Sequence, residues 1–474
     1  MRALLLTGVL SVLATGCSFT TAAGLDCETS ADCGSDQMCT ESICLPLCKD
    51  TPYGSDKPNA IRMGALLPIH TSTAANAGVD ESDEQARNAA FLALEEVNQR
   101  TISGREIALY LCDTASDRKL TMKQATWLVD TKKVAAVLTA GSSQTLDAAT
   151  VTVPKGVLTM SYSASSPELT VMPDTQDGSV GLVWRTSPSD AIQGSVIAHL
   201  LSNCFGPPSE VKVGILYLDD PYGQGLANII SDRLDPKVSK RTFSYPKRGN
   251  MNGVKSAVDQ LDMYTPTVTV LIGFADDAAA ILREASTRTN LMRENNRHRW
   301  FFSDSVKDAA LLADSQAAAQ AKGFYGTAPA QGTGLAFSTF QNRFQDKYKK
   351  DPASYAYTSN AYDAMYLLAL GAVYSQSTTN TVTGPKMAEG LMRVSSGTNG
   401  TNTQLTNSNF TYLAAELAAG RSVDVEGASG QLDFDDKGEA FSPVELWQVG
   451  DTGFKTVSSK IEPSYCPPPL GDAR

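Results

Sequence analysis

Histidine is scarce in this chain. There are three, His70, His199 and His298, and each stands alone in the sequence. That leaves little from which to build a metal centre or a catalytic base. No Gly-x-Ser-x-Gly elbow, His-Glu-x-x-His pair or phosphate-binding P-loop occurs, so common nucleophilic, metallopeptidase and nucleotide chemistries have no foothold. Gly223-Gln224-Gly225 lacks the rest of a dinucleotide-binding pattern. Positive charge is also short, with 40 Lys and Arg against 51 Asp and Glu, a net charge of −11. No basic stripe is present, which argues against nucleic acid. Past residue 16 no apolar run is long enough to cross a bilayer. Binding without chemistry is the expectation, with no cofactor and no metal, and a neutral or zwitterionic small ligand suits the charge balance.

What is present begins with a targeting pattern. Arg2 supplies a positive start, Leu4–Ala14 an apolar core, and Ala14-Thr15-Gly16 small residues leading into Cys17. This resembles a bacterial lipoprotein signal, with Cys17 acylated; an ordinary secretory signal followed by a chance cysteine is the alternative. Ser18, where an Asp would suggest retention at the inner membrane, is compatible with outer-membrane sorting. Of nine cysteines, setting Cys17 aside leaves an even number for an oxidising compartment. Cys27, Cys33, Cys39, Cys44 and Cys48 crowd together, whereas Cys112, Cys204 and Cys466 are spread out. CxxC pairs and a partnered His are missing, so a disulfide knot is favoured over zinc. The odd count in the knot sends one thiol elsewhere. The expected pairs are Cys48 with Cys112 and Cys204 with Cys466, leaving two bridges inside the knot.

At 474 residues and 42% apolar composition, the chain has material for about two to four packed domains. A polar linker at 49–59 precedes a long alternation of apolar strands and helix-period segments. Strands are expected at Ile61–Leu67, Ile107–Cys112, Val134–Leu138, Val157–Met160, Val211–Leu218, Thr242–Tyr245, Val268–Gly273 and Trp300–Ser303. Helices fall between them, including Glu81–Asn98, Leu120–Asp130, Ala191–Leu201 behind the capping pattern Ser189-Asp190, Tyr222–Leu234 and Lys307–Ala319. Such repetition predicts an α/β fold with two doubly wound parallel sheets in paired lobes. Residues 395–409 read as an exposed polar loop, and Gly430–Phe434 and Val444–Val449 as late strands.

The stretch Gly141–Leu169 carries the strongest functional signal. Strand, Gly141-Ser142-Ser143 tip, helix, strand and a second hydroxyl-rich tip, Ser161–Pro167, make a βαβ unit. Its two tips lie side by side at the carboxyl edge of the sheet, where open α/β sheets bind ligands. Backbone N–H groups and serine hydroxyls there suit a small anion. Serving only as turns and N-caps is the competing role for these residues.

The order and spacing of MGALLPIHT, CDTASD, AGSSQT, MSYSASSPEL, WRTSPSDAIQG, ILYLDDPYGQGLA, GFYGTAPA, YDAMYLLALGA and GQLDFDDKG resemble the type 1 periplasmic binding proteins. The likeness is to the leucine/isoleucine/valine-binding branch of ABC-transporter substrate-binding proteins, from about Ile61 to Val449. It implies two α/β lobes joined by a three-strand hinge and closing on a ligand. Residues 1–16 are then a signal peptide and 17–59 the Cys-rich knot and linker. Lobe one is 60–186 plus 330–434, lobe two 187–329 plus 435–464, and 465–474 a tail.

The same resemblance implies the contacts. Ser142, its neighbour Ser143 and Ser165 serve the ligand carboxylate, and the Ser163 carbonyl the ammonium. Tyr222 and Phe274 reach in from lobe two, and Asp304 pairs with the ammonium. Asp304 and Phe274 depart from the usual Glu and Tyr. Asp304 capping a helix at Lys307 is the alternative, and the loop His70-Thr71-Ser72 is a candidate pocket wall. Asp304→Ala is expected to remove amino-acid binding while leaving the ligand-free melting temperature nearly unchanged. The implied function is a lipid-anchored periplasmic or cell-envelope receptor that hands an amino acid to an ABC permease, touching the membrane only through its lipid. The alternative is an outer-membrane lipoprotein sensor or protein-interaction module of the same fold.

Overall fold

Apolar runs such as Ile61–Leu67 offer no polar face to water, so they are stable only as strands covered on both sides, which is the habit of parallel sheets. The computed structural model describes residues 48–461 except 73–77, 176–179, 247–249, 296 and 396–401, together with 27–28, 32–33, 37–40, 43–46 and Cys466. The signal segment and Cys17 lie outside the described residues, as do the side chains of Cys39 and Cys44.

In chain order, β1 (Gln37–Thr40) and β2 (Ile43–Pro46) pair as a small antiparallel hairpin. Next come β3 (Ile61–Leu67), β4 (Ile107–Asp113), β5 (Ala136–Thr139), β6 (Leu158–Ser161) and β7 (Val183–Arg185). They form a wholly parallel sheet in the order β4-β3-β5-β6-β7. The second sheet holds β8 (Lys212–Leu218), β9 (Ser239–Tyr245), β10 (Val268–Ile272), β11 (Arg299–Phe302) and β12 (Tyr325–Pro329), all parallel. Short strands β13 (Asn402–Gln404), β14 (Asp424–Gly427) and β15 (Gly430–Gln431) pack with the first lobe. Finally β16 (Val444–Val449) and β17 (Phe454–Ser458) extend the second sheet antiparallel, giving β17-β16-β12-β11-β10-β8-β9.

The chain therefore passes between the sheets three times: after β7, after β12 and before β16. Between the last two passages lies the helix Thr358–Thr379, buried continuously from Thr358 to Ser375 in the core of the first lobe. The second lobe has apolar layers on both faces of its sheet. Two disulfides tie down the extremities. Cys48–Cys112 fixes the linker to β4, and Cys204–Cys466 fixes the tail to the end of the helix Asp190–Asn203. Cys27 and Cys33 are also in disulfides.

Several expectations need local correction. The helix expected over 307–319 is two, Ala309–Ala313 and Ser315–Ala321, because Asp314 accepts from the Gln316 and Ala317 amides and starts a new helix. The Leu120–Asp130 helix widens into a π turn, Trp127–Lys132, closed by Lys133 in the left-handed region. The 395–409 loop contains β13, held by parallel pairing to β14. The late strand over Gly430–Phe434 is only two residues long, Gly430–Gln431.

Candidate functional site

A cleft lies between the lobes, lined by residues from both. Its first wall starts at Gly141. With φ of 65°, a value that favours glycine, Gly141 turns β5 directly into the helix Ser142–Thr152. The Gly141 amide donates to Ser163 Oγ at 2.9 Å. Ser142 Oγ accepts from the Ser165 and Ser166 amides at 3.2 and 3.1 Å. The two tips are thus stitched together, with Ser142, Ser143 and Ser163 lining the cleft.

Behind this wall the Arg185 guanidinium is buried. It donates to the Ala164 carbonyl at 3.3 Å, the Ser166 carbonyl at 2.9 Å and Thr170 Oγ1 at 3.0 Å, and it pairs with Glu439. Glu439 belongs to the third passage between lobes. The loop that carries Ser163 and Ser165 is therefore fastened to the hinge.

The opposite wall grows from the carboxyl ends of the second sheet. Asp220 caps the helix Pro221–Arg233 by accepting from the Gly223 amide at 2.8 Å. A Cβ on Gly223 would lie 2.1 Å from the Leu218 carbonyl oxygen, so glycine is needed for this close approach. That turn sets Tyr222 into the cleft, with the Phe274 ring 6.0 Å away. Tyr222 donates to Asp304 at 2.7 Å, and its oxygen accepts from Ser303 Oγ at 2.9 Å.

Asp304 itself is fully buried. Besides Tyr222 it accepts from Tyr357 at 2.5 Å and Ser305 at 3.1 Å. It does not line the cleft: Tyr222 and Tyr357 do, and they stand in contact with it. Burial and the Asp304 charge hold both phenols well above their ordinary pKa, so both remain hydrogen-bond donors to the carboxylate. Asp304 is not the cap of a helix at Lys307; Asp308 caps the helix that follows. Because Asp304 serves three hydroxyls, Asp304→Ala leaves buried donors unsatisfied. The expected unchanged ligand-free melting temperature is incompatible with this geometry, since each such group costs about 1–3 kcal/mol.

Two participants escaped the sequence reading. The Ser189-Asp190 pair reads as a cap, and Ser189 does accept from Ala191 at 3.4 Å. That leaves the Asp190 carboxylate to point elsewhere. It is fully buried, with the Ser165 hydroxyl as its polar neighbour. Burial, then the nearby Asp304 charge, raise the Asp190 carboxyl well above the usual range. Ser165, like Asp304, lies behind the cleft lining. The second is Tyr357, held at φ of 63°, an unusual conformation for a bulky residue. Its only sequence signal is its place just before a long apolar helix.

Across the cleft Ser143 donates to Asp220 at 3.2 Å and Tyr357 to Asp304, and beside the hinge the Asp190 amide donates to the Ser165 carbonyl at 2.8 Å. His70 is not a wall residue: it is held by Asp113, whose carboxylate also raises its pKa, and Val79 and Asp80 line the cleft where the loop returns. No helix is long and apolar enough to cross a membrane, and no metal-holding cluster of His, Cys, Asp or Glu occurs among the described residues.

The family model for the receptor family ligand binding region matches residues 85–452. Among curated proteins, the chain is 24% identical over 398 residues to the chemotactic signal transduction system substrate-binding protein BasB of Halobacterium salinarum, covering 84% of this chain and 88% of the relative. It is 24% identical over 201 residues to Leu/Ile/Val-binding protein homolog 1 of Brucella suis, covering 42% of this chain and 52% of that protein. Among solved structures, the leucine-binding protein LivK of Thermotoga maritima superposes with a TM-score of 0.65 at 17% identity, over 84% of this chain and 98% of that one. LivJ of Streptococcus pneumoniae, solved with isoleucine, gives 0.63 at 19% identity, over 84% of this chain and all (100%) of that one. With the matched region spanning both lobes and the hinge, the chain belongs to the receptor ligand-binding-region family and has the fold of the type 1 periplasmic binding proteins, Leu/Ile/Val-binding branch.

Proposed function

We propose that this chain is an extracytoplasmic solute receptor whose lobes close on an α-amino acid for ABC-type uptake. One observation carries the reading: a cleft with hydroxyl and amide donors stitched into one wall, and a tyrosine-backed pair of buried carboxylates at the other. A zwitterion shut away from water needs both charges met, because an unpaired buried ion costs several kcal/mol. Ser142, Ser143 and the adjoining amides take the ligand carboxylate, with Ser165 behind them, and the Ser163 carbonyl faces the ammonium. The ammonium goes to the acidic end. Tyr222 and Tyr357 donate their protons to Asp304, so their oxygens can accept from it, with the Asp304 carboxylate directly behind them. Phe274 covers the ligand from the second lobe.

Because Tyr222, Phe274 and Asp304 stand on the lobe opposite the serine tips, ligand affinity differs between open and closed forms, which is what drives closure. Acylation at Cys17 would tether the receptor in the periplasm or cell envelope, with an ABC permease as partner. The chemotactic relative favours a second reading, in which the closed form is read by a sensor at the envelope instead of a permease.

A thermal-shift screen against amino acids and small polyols tests the proposal. A true ligand at 100 times its dissociation constant adds about 2.7 kcal/mol of stability. If a polyol stabilises the protein and no amino acid does, the zwitterion assignment is wrong.

A further inference from the structure

Every charged residue that the described part of the cleft wall presents is acidic. Asp80, Glu81 and Asp83 come from the start of the helix Glu81–Asn98 in lobe one, and Asp220, Asp276 and Asp308 from lobe two. Among the described lining residues there is no Lys, Arg or His. Some of this charge is already accommodated. Glu81 meets Lys350 and the Tyr355 hydroxyl, Asp83 accepts from Tyr162 at 2.6 Å, and Asp220 from Ser143.

Asp308 is different. It is only 5% exposed, yet it faces the cleft. Its Oδ1 caps a helix through the Ala310 amide at 2.7 Å, and its Oδ2 makes no hydrogen bond among the described residues. Burial, with Asp80, Glu81 and Asp276 adding to it, pushes its carboxyl up to about 7. A carboxylate oxygen held nearly dry, open to a cavity and repelled from the facing lobe, is a vacancy for positive charge.

A bound metal is the simplest cation, but no group of three or more metal-ligating side chains converges among the described residues. The carboxylates are spread along the wall, which suits an extended organic cation. A neutral aliphatic side chain lying here would desolvate these acids and return nothing.

Resting on the solute-binding reading of the same cleft, we infer that the preferred ligand is an amino acid with a positively charged side chain, its distal cation lying between Asp308 and the Asp80–Glu81 turn. The α-carboxylate and α-ammonium keep the places given above. The acidic patch then acts as a charge filter as well as a contact, since a field of one sign concentrates oppositely charged solutes at the mouth.

Calorimetric titration of the purified chain tests this with matched pairs: lysine against norleucine, ornithine against norvaline, arginine against citrulline, with cadaverine as the cation lacking a carboxylate. The cationic member of at least one pair should bind at least about tenfold tighter than its neutral partner, with the gap narrowing as salt is added. Asp308→Asn, which keeps a capping oxygen for Ala310, should reduce that preference to about threefold or less. Neutral amino acids binding as tightly as their cationic partners would overturn the charge inference and leave the amino-acid reading intact. Cadaverine binding without any amino acid would support the charge inference and overturn the amino-acid reading. Binding by none of these compounds would overturn both.

Discussion

The two walls of the cleft are built by different means. The lobe-one wall is a local construction: two tips about twenty residues apart, Gly141–Ser143 and Ser163–Ser166, bonded to each other largely through backbone amides. These tips carry no charge and are held from behind by Arg185. The lobe-two wall is a meeting of side chains from distant segments, Asp190, Tyr222, Asp304 and Asp308, with Tyr357 contributed across the gap. An anion is met by donors that the chain carries everywhere, so a good loop suffices. A cation is met by carboxylates and phenol oxygens, and those must be brought from several places.

Asp363, in the core of lobe one, shows what a purely structural buried carboxylate looks like. It accepts from the Ala428 amide, the Ser429 amide and Ser429 Oγ. Asp190 is equally buried and is met by the Ser165 hydroxyl, with no backbone amide on its carboxylate among the described residues. The contrast separates a fold-stabilising acid from one held in readiness.

The comparison can be broken from either side. The largest effect is expected behind the serine tips: Glu439→Ala leaves Arg185 buried without its counter-ion and should cost about 3–5 kcal/mol in chemical denaturation. An unchanged midpoint would mean that the clamp is incidental. Next, Asp304→Asn keeps an acceptor for the tyrosines but removes the charge, and should weaken amino-acid binding about 100-fold by calorimetry. Ser142→Ala removes the acceptor shared by the Ser165 and Ser166 amides and should weaken binding about tenfold. Equal losses from these two variants would erase the distinction between walls.

The smallest effect is a slope. Asp308 rises from its usual 3.8 to about 7 in the folded protein, so folding takes up a proton between those values. The contribution is fully present below about pH 4 and lost as pH climbs through about 7. Other carboxylates, such as Glu81, shift downward and favour folding at higher pH, so the readout is the difference between the chain and Asp308→Asn. Between pH 5 and 8 the parent should lose more stability than the variant.

How much was legible in the sequence follows the same division. Apolar runs and helix-period segments lie in order, and the sheets follow from them; Ile61–Leu67 is a strand with the bounds its apolar run suggests. The pairs Cys48–Cys112 and Cys204–Cys466 form as expected. The serine tips were visible because their chemistry is contiguous. Asp190 was not, since Ser-Asp before a helix is an ordinary capping signal and only the fold shows which of the two residues caps. Tyr357 was hidden for a related reason: its contact is with a residue 53 positions away in the other lobe, and nothing local marks it. The strand β13 was masked by a Gly/Asn-rich composition that tertiary pairing overrides.

One titration series bears on the whole proposal most directly. Take the tightest amino-acid ligand and compare it with its decarboxylated amine and its deaminated acid, by calorimetry on the same preparation. Both truncated compounds should bind at least about 100-fold more weakly than the intact amino acid, because each leaves one wall with nothing to hold. Either analogue binding as well as the parent would show that the wall it cannot reach plays no part in recognition.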